Sequence, residues 1–319
     1  MSFRSILHSM LSQRLANLSA LSTLRGRLAI VALSSVITHG ALASDIVRVD
    51  TDSGSFVLEM YADTAPVTVA NFLSYVNSGA YEGTIIHRKV NNFVIQGGGY
   101  AIDASAGNLQ SIERQAPIVN EFNVSNTRGT IAMAKVPDQP NSATSEWFIN
   151  LQDNSSPLDD QNEGYAVFGE VLGRGMNTID SIGSLMTTPF GQFPELPYIK
   201  IEGNTLFLLT VSMRSMATSS KLDQTGVFSV SLDAGDLGQA WVDFTVIQNP
   251  EAPIIKLIPS SVLFIDKTLE KMATFNALSG ELVIPELEVG GVVAYTNVVF
   301  KLTDAKNYSF TLQSFDEAP

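Results

Sequence analysis

Ile85-Ile-His-Arg-Lys-Val-Asn-Asn-Phe-Val-Ile-Gln-Gly-Gly-Gly99 is the stretch that decides how this chain reads. It sets Arg88, Phe93 and Gln96 among apolar residues and then ends in three glycines. Side chains on a strand alternate between faces, so Ile86, Arg88 and Val90 are expected on one face and His87 and Lys89 on the other. A permanent cation and an amide on an apolar platform suit a substrate that is polar but uncharged. The glycines lack the Gly-Lys-Ser/Thr continuation of a phosphate loop, so close backbone packing at a tight bend is the expectation.

Working outward, Ile46–Val49 and Ser55–Tyr61 read as strands around the turn Thr51-Asp-Ser-Gly54. Phe56, Leu58 and Met60 share the buried face of the second. Pro66 opens a helix in which Val69, Phe72, Leu73 and Val76 recur at helical spacing, and Gly79 closes it. Short strands follow at Thr84–Val90, Phe93–Gln96, Thr130–Ala134, Trp147–Leu151 and Tyr165–Val171. A second helix is expected around Asn177–Ile182, and Leu206–Met213 would supply the last strand. Many short strands with two separated helices fit a closed antiparallel barrel capped at its ends.

Beyond Met213 the texture changes. Residues 214–224 are polar and rich in Ser and Thr, as a linker would be. From residue 225 to 319 strand-like runs recur, with Leu269–Phe275 the one stretch that reads as helix, so a small all-β domain is expected there.

The first 43 residues hold Arg4, Arg14, Arg25 and Arg27 and no carboxylate. An apolar run from Leu28 to Thr38 and then Ala41-Leu42-Ala43 complete the pattern of a secretory signal (residues 1–43), with cleavage after Ala43 and a periplasmic address. The apolar run is too short to span a bilayer, which takes about 20 residues, so no stable membrane insertion is expected after cleavage. The net charge is −13, from 19 basic and 32 acidic residues; without the leader it is 15 − 32 = −17. Such a chain repels phosphate backbones, and nucleic acid is not an expected partner. There is no cysteine, and His87 would be the only histidine of the mature chain, so disulfides, thiolate chemistry and a histidine-pair metal site are excluded. The run Asp159–Gly164 with Glu170 mimics a calcium loop, but two ligand positions are poor and a strand claims Tyr165–Glu170.

Residues 45–213 resemble the cyclophilin-type peptidyl-prolyl cis-trans isomerases. The resemblance is carried by His87-Arg88, Phe93 and Gln96, by Gly129-Thr-Ile-Ala-Met-Ala-Lys135, and by Ser142-Ala-Thr-Ser-Glu-Trp-Phe-Ile-Asn150 in the bacterial form of that phrase. It implies an eight-stranded antiparallel barrel with a helix over each mouth, and an enzyme of exported proteins that needs no cofactor and no metal. Arg88 then matches the catalytic arginine, and Gln96 the glutamine that bonds the substrate backbone and orients it. Phe93, Val94, Phe148, Leu158 and Tyr165 match the proline pocket, while Ala134 lines the groove and Lys135 offers backbone contacts. His87 is expected to be a structural hydrogen-bonding residue, since rotation about a peptide bond needs no proton transfer.

Several positions depart from the family pattern. Val94 stands where many members have Met, and Tyr165 where many have His. Glu146 replaces the usual Gln, bringing a charge that would either orient Arg88 or compete with substrate for it. Trp147 replaces a Phe, the loop Val136–Asn141 is slightly long, and Pro157 stands where an aromatic wall is usual, which argues against cyclosporin sensitivity.

The leading expectation is therefore an isomerase that takes proline-containing segments of folding proteins and works as a monomer. Glu146, Trp147 and Pro157 motivate the alternative, a catalytically weak peptide-binding or chaperone module of the cell envelope. A third possibility makes residues 214–319 the working part, as an envelope attachment.

Overall fold

The computed structural model describes residues 46–318, apart from 104–107, 204, 217–219, 223–225, 248–251, 266, 270 and 290–291. The leader at 1–43 lies outside the described residues. The chain divides into two compact units, one made of Ala43–Thr218 with Leu263–Thr268, the other of Ser219–Val262 and Leu269–Pro319. No helix among the described residues is long and apolar enough to cross a membrane.

The first unit opens with β1 (Ile46–Thr51) and β2 (Gly54–Met60), paired antiparallel around the expected turn. Helix α1 (Pro66–Asn77) follows, with Pro66 in its first turn, where a missing N–H costs nothing. Its N-cap, Ala65, has no side chain with which to cap. The carboxylate of Glu121 does this work from 53 residues away, accepting from the Val67 and Thr68 amides at 3.2 and 2.7 Å and from the Thr68 hydroxyl at 2.8 Å. Next come β3 (Thr84–Ile85), β4 (Arg88–Val90), β5 (Val94–Gly97) and the hairpin β6 (Tyr100–Asp103) and β7 (Asn108–Ser111). Strands β8 (Thr130–Met133) and β9 (Trp147–Asn150), the single-turn α2 (Ser155–Leu158), β10 (Val167–Val171) and α3 (Gly175–Gly183) complete the central part.

Between α3 and the last barrel strand lies an element that sequence periodicity does not announce. Where one strand is expected over Leu206–Met213, β11 (Met186–Phe190), β12 (Phe193–Glu202) and β13 (Thr205–Leu208) form their own antiparallel sheet, and β14 (Thr210–Met216) then closes the barrel. The small sheet is anchored by Phe193 and Leu196, buried with Ile85 and packed by Tyr100, Leu109, Leu206 and Leu208.

The main sheet runs β4-β5-β9-β8-β10-β2-β1-β14-β3-β6-β7. Strands β4 and β3 lie far apart in that order, yet only Ile86 and His87 separate them in the chain. The sheet must curl so that its margins meet there. Ile86 donates its N–H to Leu209 at 3.2 Å on one side, and His87 donates to Gln96 at 3.0 Å on the other. This seam changes the expected alternation: Ile86 is buried in the barrel interior, whereas Arg88 stands on the outer face. The interior is filled by Phe56, Leu58, Phe72, Tyr81, Ile95, Trp147 and Phe168 among others. Fully burying each such side chain contributes about 1.5–3 kcal/mol.

The second unit is also all β. It comprises β15 (Ser220–Leu222), β16 (Val227–Asp233), β17 (Gln239–Ile247) and β18 (Ile254–Leu257); β19 (Leu263–Phe264) belongs with the first unit, and β20 (Ala273–Asn276), β21 (Glu281–Val289), β22 (Val292–Asp304) and β23 (Ser309–Glu317) follow. The order β16-β20-β21-β22-β23-β18-β17, with β17 pairing back to β16, closes a second barrel. The helical expectation for Leu269–Phe275 fails here. Ala273 and Phe275 share one face of the strand β20, with Thr274 and Asn276 exposed on the other, and Phe275 pairs with Leu282 of β21. The mainly β expectation, a capped barrel followed by a smaller β domain, describes both units.

Candidate active site

Pairing register assembles the site. Residues directly opposite in an antiparallel pair point to the same face, with Cβ atoms about 4.5–5.5 Å apart. Arg88 is opposite Gln96, Gln96 opposite Phe148, Phe148 opposite Ala132, and Ala132 opposite Val167. A guanidinium, an amide and an aromatic ring therefore stand in one row on the outer face, drawn from strands 60 residues apart in the sequence. Val94, Phe148, Leu158, Ala132 and Val167 form one apolar cluster, against which Phe93, Ala134 and Tyr165 pack half-buried. The Phe148 and Tyr165 rings meet edge to face, 5.7 Å between centroids. Lys135 sits 4.9 Å above the Tyr165 ring and donates to the carbonyls of Asn162 and Gly164 at 2.7 and 2.6 Å. Burial holds its ammonium below the usual lysine range, with Glu163 opposing. Every residue expected in the site lies in this row or its cluster, apart from Lys135, which reaches it through Tyr165.

The polar side of the row is a chain of hydrogen bonds. Arg88 Nη1 donates to Gln96 Oε1 at 3.3 Å, and Gln96 Nε2 donates to Glu146 Oε2 at 2.9 Å. Because Glu146 accepts from the amide nitrogen, the amide oxygen must face Arg88. Glu146 also meets His87 Nε2 at 3.3 Å and Arg114 Nη2 at 3.3 Å. Burial pushes the Glu146 carboxyl up, but the bond and charge of His87, the Gln96 amide and the Arg114 charge outweigh it and leave the carboxyl below its ordinary range. Of the two roles open to Glu146, orientation is the one this geometry serves, through Gln96 rather than by direct contact. His87 is buried edge-on to Tyr100 at 5.0 Å, which suits the structural role expected of it.

Beneath the apolar cluster a line of buried amides holds the surrounding loops. Asn154 donates to the Phe93 carbonyl and to Asn150 Oδ1, each at 2.8 Å; Asn150 donates to Thr130 Oγ1 at 2.9 Å; Asn126 donates to the Tyr165 carbonyl at 3.0 Å. Phe93 and Tyr165 are thereby pinned from behind, and the Leu158 amide donates to the Asn154 carbonyl at 3.0 Å. The glycine run has a packing reason: a Cβ on Gly98 would come within 2.6 Å of the Trp147 ring and 2.5 Å of the Ser145 carbonyl oxygen, and its φ of +79° already favours glycine. Trp147 fills the barrel interior against those glycines, so its replacement of Phe does not alter the groove.

Three participants carry no signal in the local sequence. Arg114 lies in a strandless stretch, the linkage among the buried asparagines joins segments distant in the chain, and Glu195 comes from the unannounced sheet. Glu195 Oε2 accepts from Arg88 Nε at 3.2 Å, across 107 residues.

Residues 46–204 match the family described as cyclophilin type peptidyl-prolyl cis-trans isomerase. Among similar proteins, a peptidyl-prolyl cis-trans isomerase of Acinetobacter baylyi is 38% identical over 196 residues, covering 60% of this chain and 98% of the relative. Peptidyl-prolyl cis-trans isomerase B of Escherichia coli is 41% identical over 158 residues, 48% of this chain and 92% of that protein. Isomerase A of Dickeya dadantii is 39% identical over 160 residues, 49% and 80% of the two chains. A crystal structure of a Cryptosporidium parvum cyclophilin-type isomerase aligns over 55% of this chain and 98% of that one, with 23% identity and a TM-score of 0.42.

Proposed function

Since this chain belongs to the cyclophilin-type peptidyl-prolyl cis-trans isomerase family and is with it an isomerase, we propose that Arg88 drives the reaction and that its substrates are exported proteins as they fold. A peptide bond resists rotation by about 18–20 kcal/mol because nitrogen shares its lone pair with the carbonyl. In the twisted state the lone pair has returned to nitrogen, and a donor aimed at it lowers the barrier. Arg88 Nε and Nη1 are engaged by Glu195 and Gln96. Nη2 is left to reach a prolyl nitrogen held over Phe93, Phe148 and Leu158, and the guanidinium stays charged at any working pH. The observation that carries the reading is the row of Arg88, Gln96 and Phe148 in register.

Proline-containing segments are the proposed partners, and the periplasm, reached through the leader at 1–43, the proposed compartment. The test is the catalysed isomerisation of a proline tetrapeptide by the purified protein and by Arg88→Ala. Losing one preorganised donor costs about 10²–10³ in rate at comparable sites, so kcat/KM should fall by about that factor. Equal rates for the two proteins would end the reading. The alternative, a weak catalyst that retains peptide affinity, is favoured by the carboxylate already seated on Arg88; normal binding with negligible turnover in the unaltered protein would select it.

A further inference from the structure

Resting on that reading, the structure assigns to Glu195 the charge preference of the site: we propose that it lets the groove accept chains with a basic residue beside the Xaa-Pro pair and turns away acidic ones. Strand β4 presents two neighbouring cations, Arg88 and Lys89. Lys89 is buried, donates to Asn91, and lies within the electrostatic reach of Glu195. Left alone, this pair would draw acidic flanks and repel Lys and Arg. Glu195 reaches in from β12 on the small sheet and seats its carboxylate 3.2 Å from Arg88 Nε. Both side chains remain open to solvent, 38% and 40% exposed, so a substrate laid on Arg88 passes within a few ångströms of this carboxylate.

The far end of the polar chain is already balanced, with Glu146 between Arg114 and His87. The variable charge is therefore at the Glu195 end. Its anchoring is firm, since Phe193 and Leu196 flank it and are buried. Its local sequence gives no sign of it, because a single Glu between Pro194 and Leu196 carries no motif.

The experiment compares the unaltered protein with Glu195→Gln on tetrapeptides that carry Lys, Gln or Glu on either side of Xaa-Pro. Gln keeps an acceptor for Arg88 Nε and removes only the charge. A unit charge about 6 Å away in nearly aqueous surroundings changes an affinity about threefold. Exchanging Lys for Glu counts twice. The ratio of kcat/KM for Lys over Glu peptides should thus fall about five- to tenfold in Glu195→Gln, with the change on the uncharged Gln peptide lying between those on the other two. At about 1 M salt, where screening acts within roughly 3 Å, the ratios for the two proteins should converge. An unchanged ratio, or an equal loss on all three peptides, would overturn the assignment. Peptide affinities measured with the same panel carry the same ratio. An absence of turnover in the unaltered protein would therefore sink the isomerase reading and still leave Glu195 judged by binding.

Discussion

Glu146 shows how one departure from a family pattern can be absorbed by its neighbours. A carboxylate in place of an amide brings a charge into a largely buried spot, 22% exposed, which is costly unless it is paired. Here three donors meet it, from Gln96, His87 and Arg114. The carboxyl is held below its ordinary range, so its ionised form favours the folded state. For a depressed carboxyl that contribution is complete above the unfolded value, about 4.3, and is lost as pH falls toward the lower native value. Glu146→Gln removes the titration while retaining an acceptor for Gln96. The stability gap between the two proteins, measured by denaturant unfolding, should accordingly narrow as pH is taken from about 5 to 3. Parallel curves over that range would mean the carboxylate is not held as described.

At the level of elements, capping at a distance and the small sheet stand out. Helix α1 starts on Pro66 after an alanine, so its free amides depend on Glu121. Capping side chains contribute about 0.5–2 kcal/mol, and a negative charge at a helix N-terminus about 0.3–1. Glu121→Ala should therefore lower unfolding free energy by about 1–2 kcal/mol, with isomerase activity retained below the melting range because Glu121 bonds the start of α1 and no member of the Arg88 row. Glu121→Gln should recover part of the loss. A variant as stable as the parent would show that solvent caps α1 equally well. The sheet β11–β13 makes the complementary point: it adds nothing to the barrel ladder, yet it brings a carboxylate to Arg88, the proposed donor.

Across the whole molecule, two β units share a chain whose net charge is −13. That excess should keep it off polyanions, and no retardation of duplex DNA is expected even at low ionic strength, where attraction to phosphate would be strongest. The mainly β class and helix α1 were legible in the chain, because alternation, helical spacing and turn residues are local properties; the candidates Arg88, Phe93, Gln96, Phe148 and Leu158 were picked out by the resemblance of short phrases to the cyclophilins. The short phrase from Ile85 to Gly99 supplied the candidate donor, amide and ring floor. The seam at Ile86–His87 was not legible: only closure of the sheet reverses the alternation there, and closure depends on strands far along the chain. Nor were the small sheet and the strand over Ala273–Asn276, whose short runs look like loop or helix until a partner strand supplies hydrogen bonds. Local patterning determined which side chains could do the chemistry. Register decided that Arg88, Gln96 and Phe148 stand abreast, and tertiary packing brought Glu195 and Glu146 to the two ends, because such juxtapositions arise between segments distant in the chain.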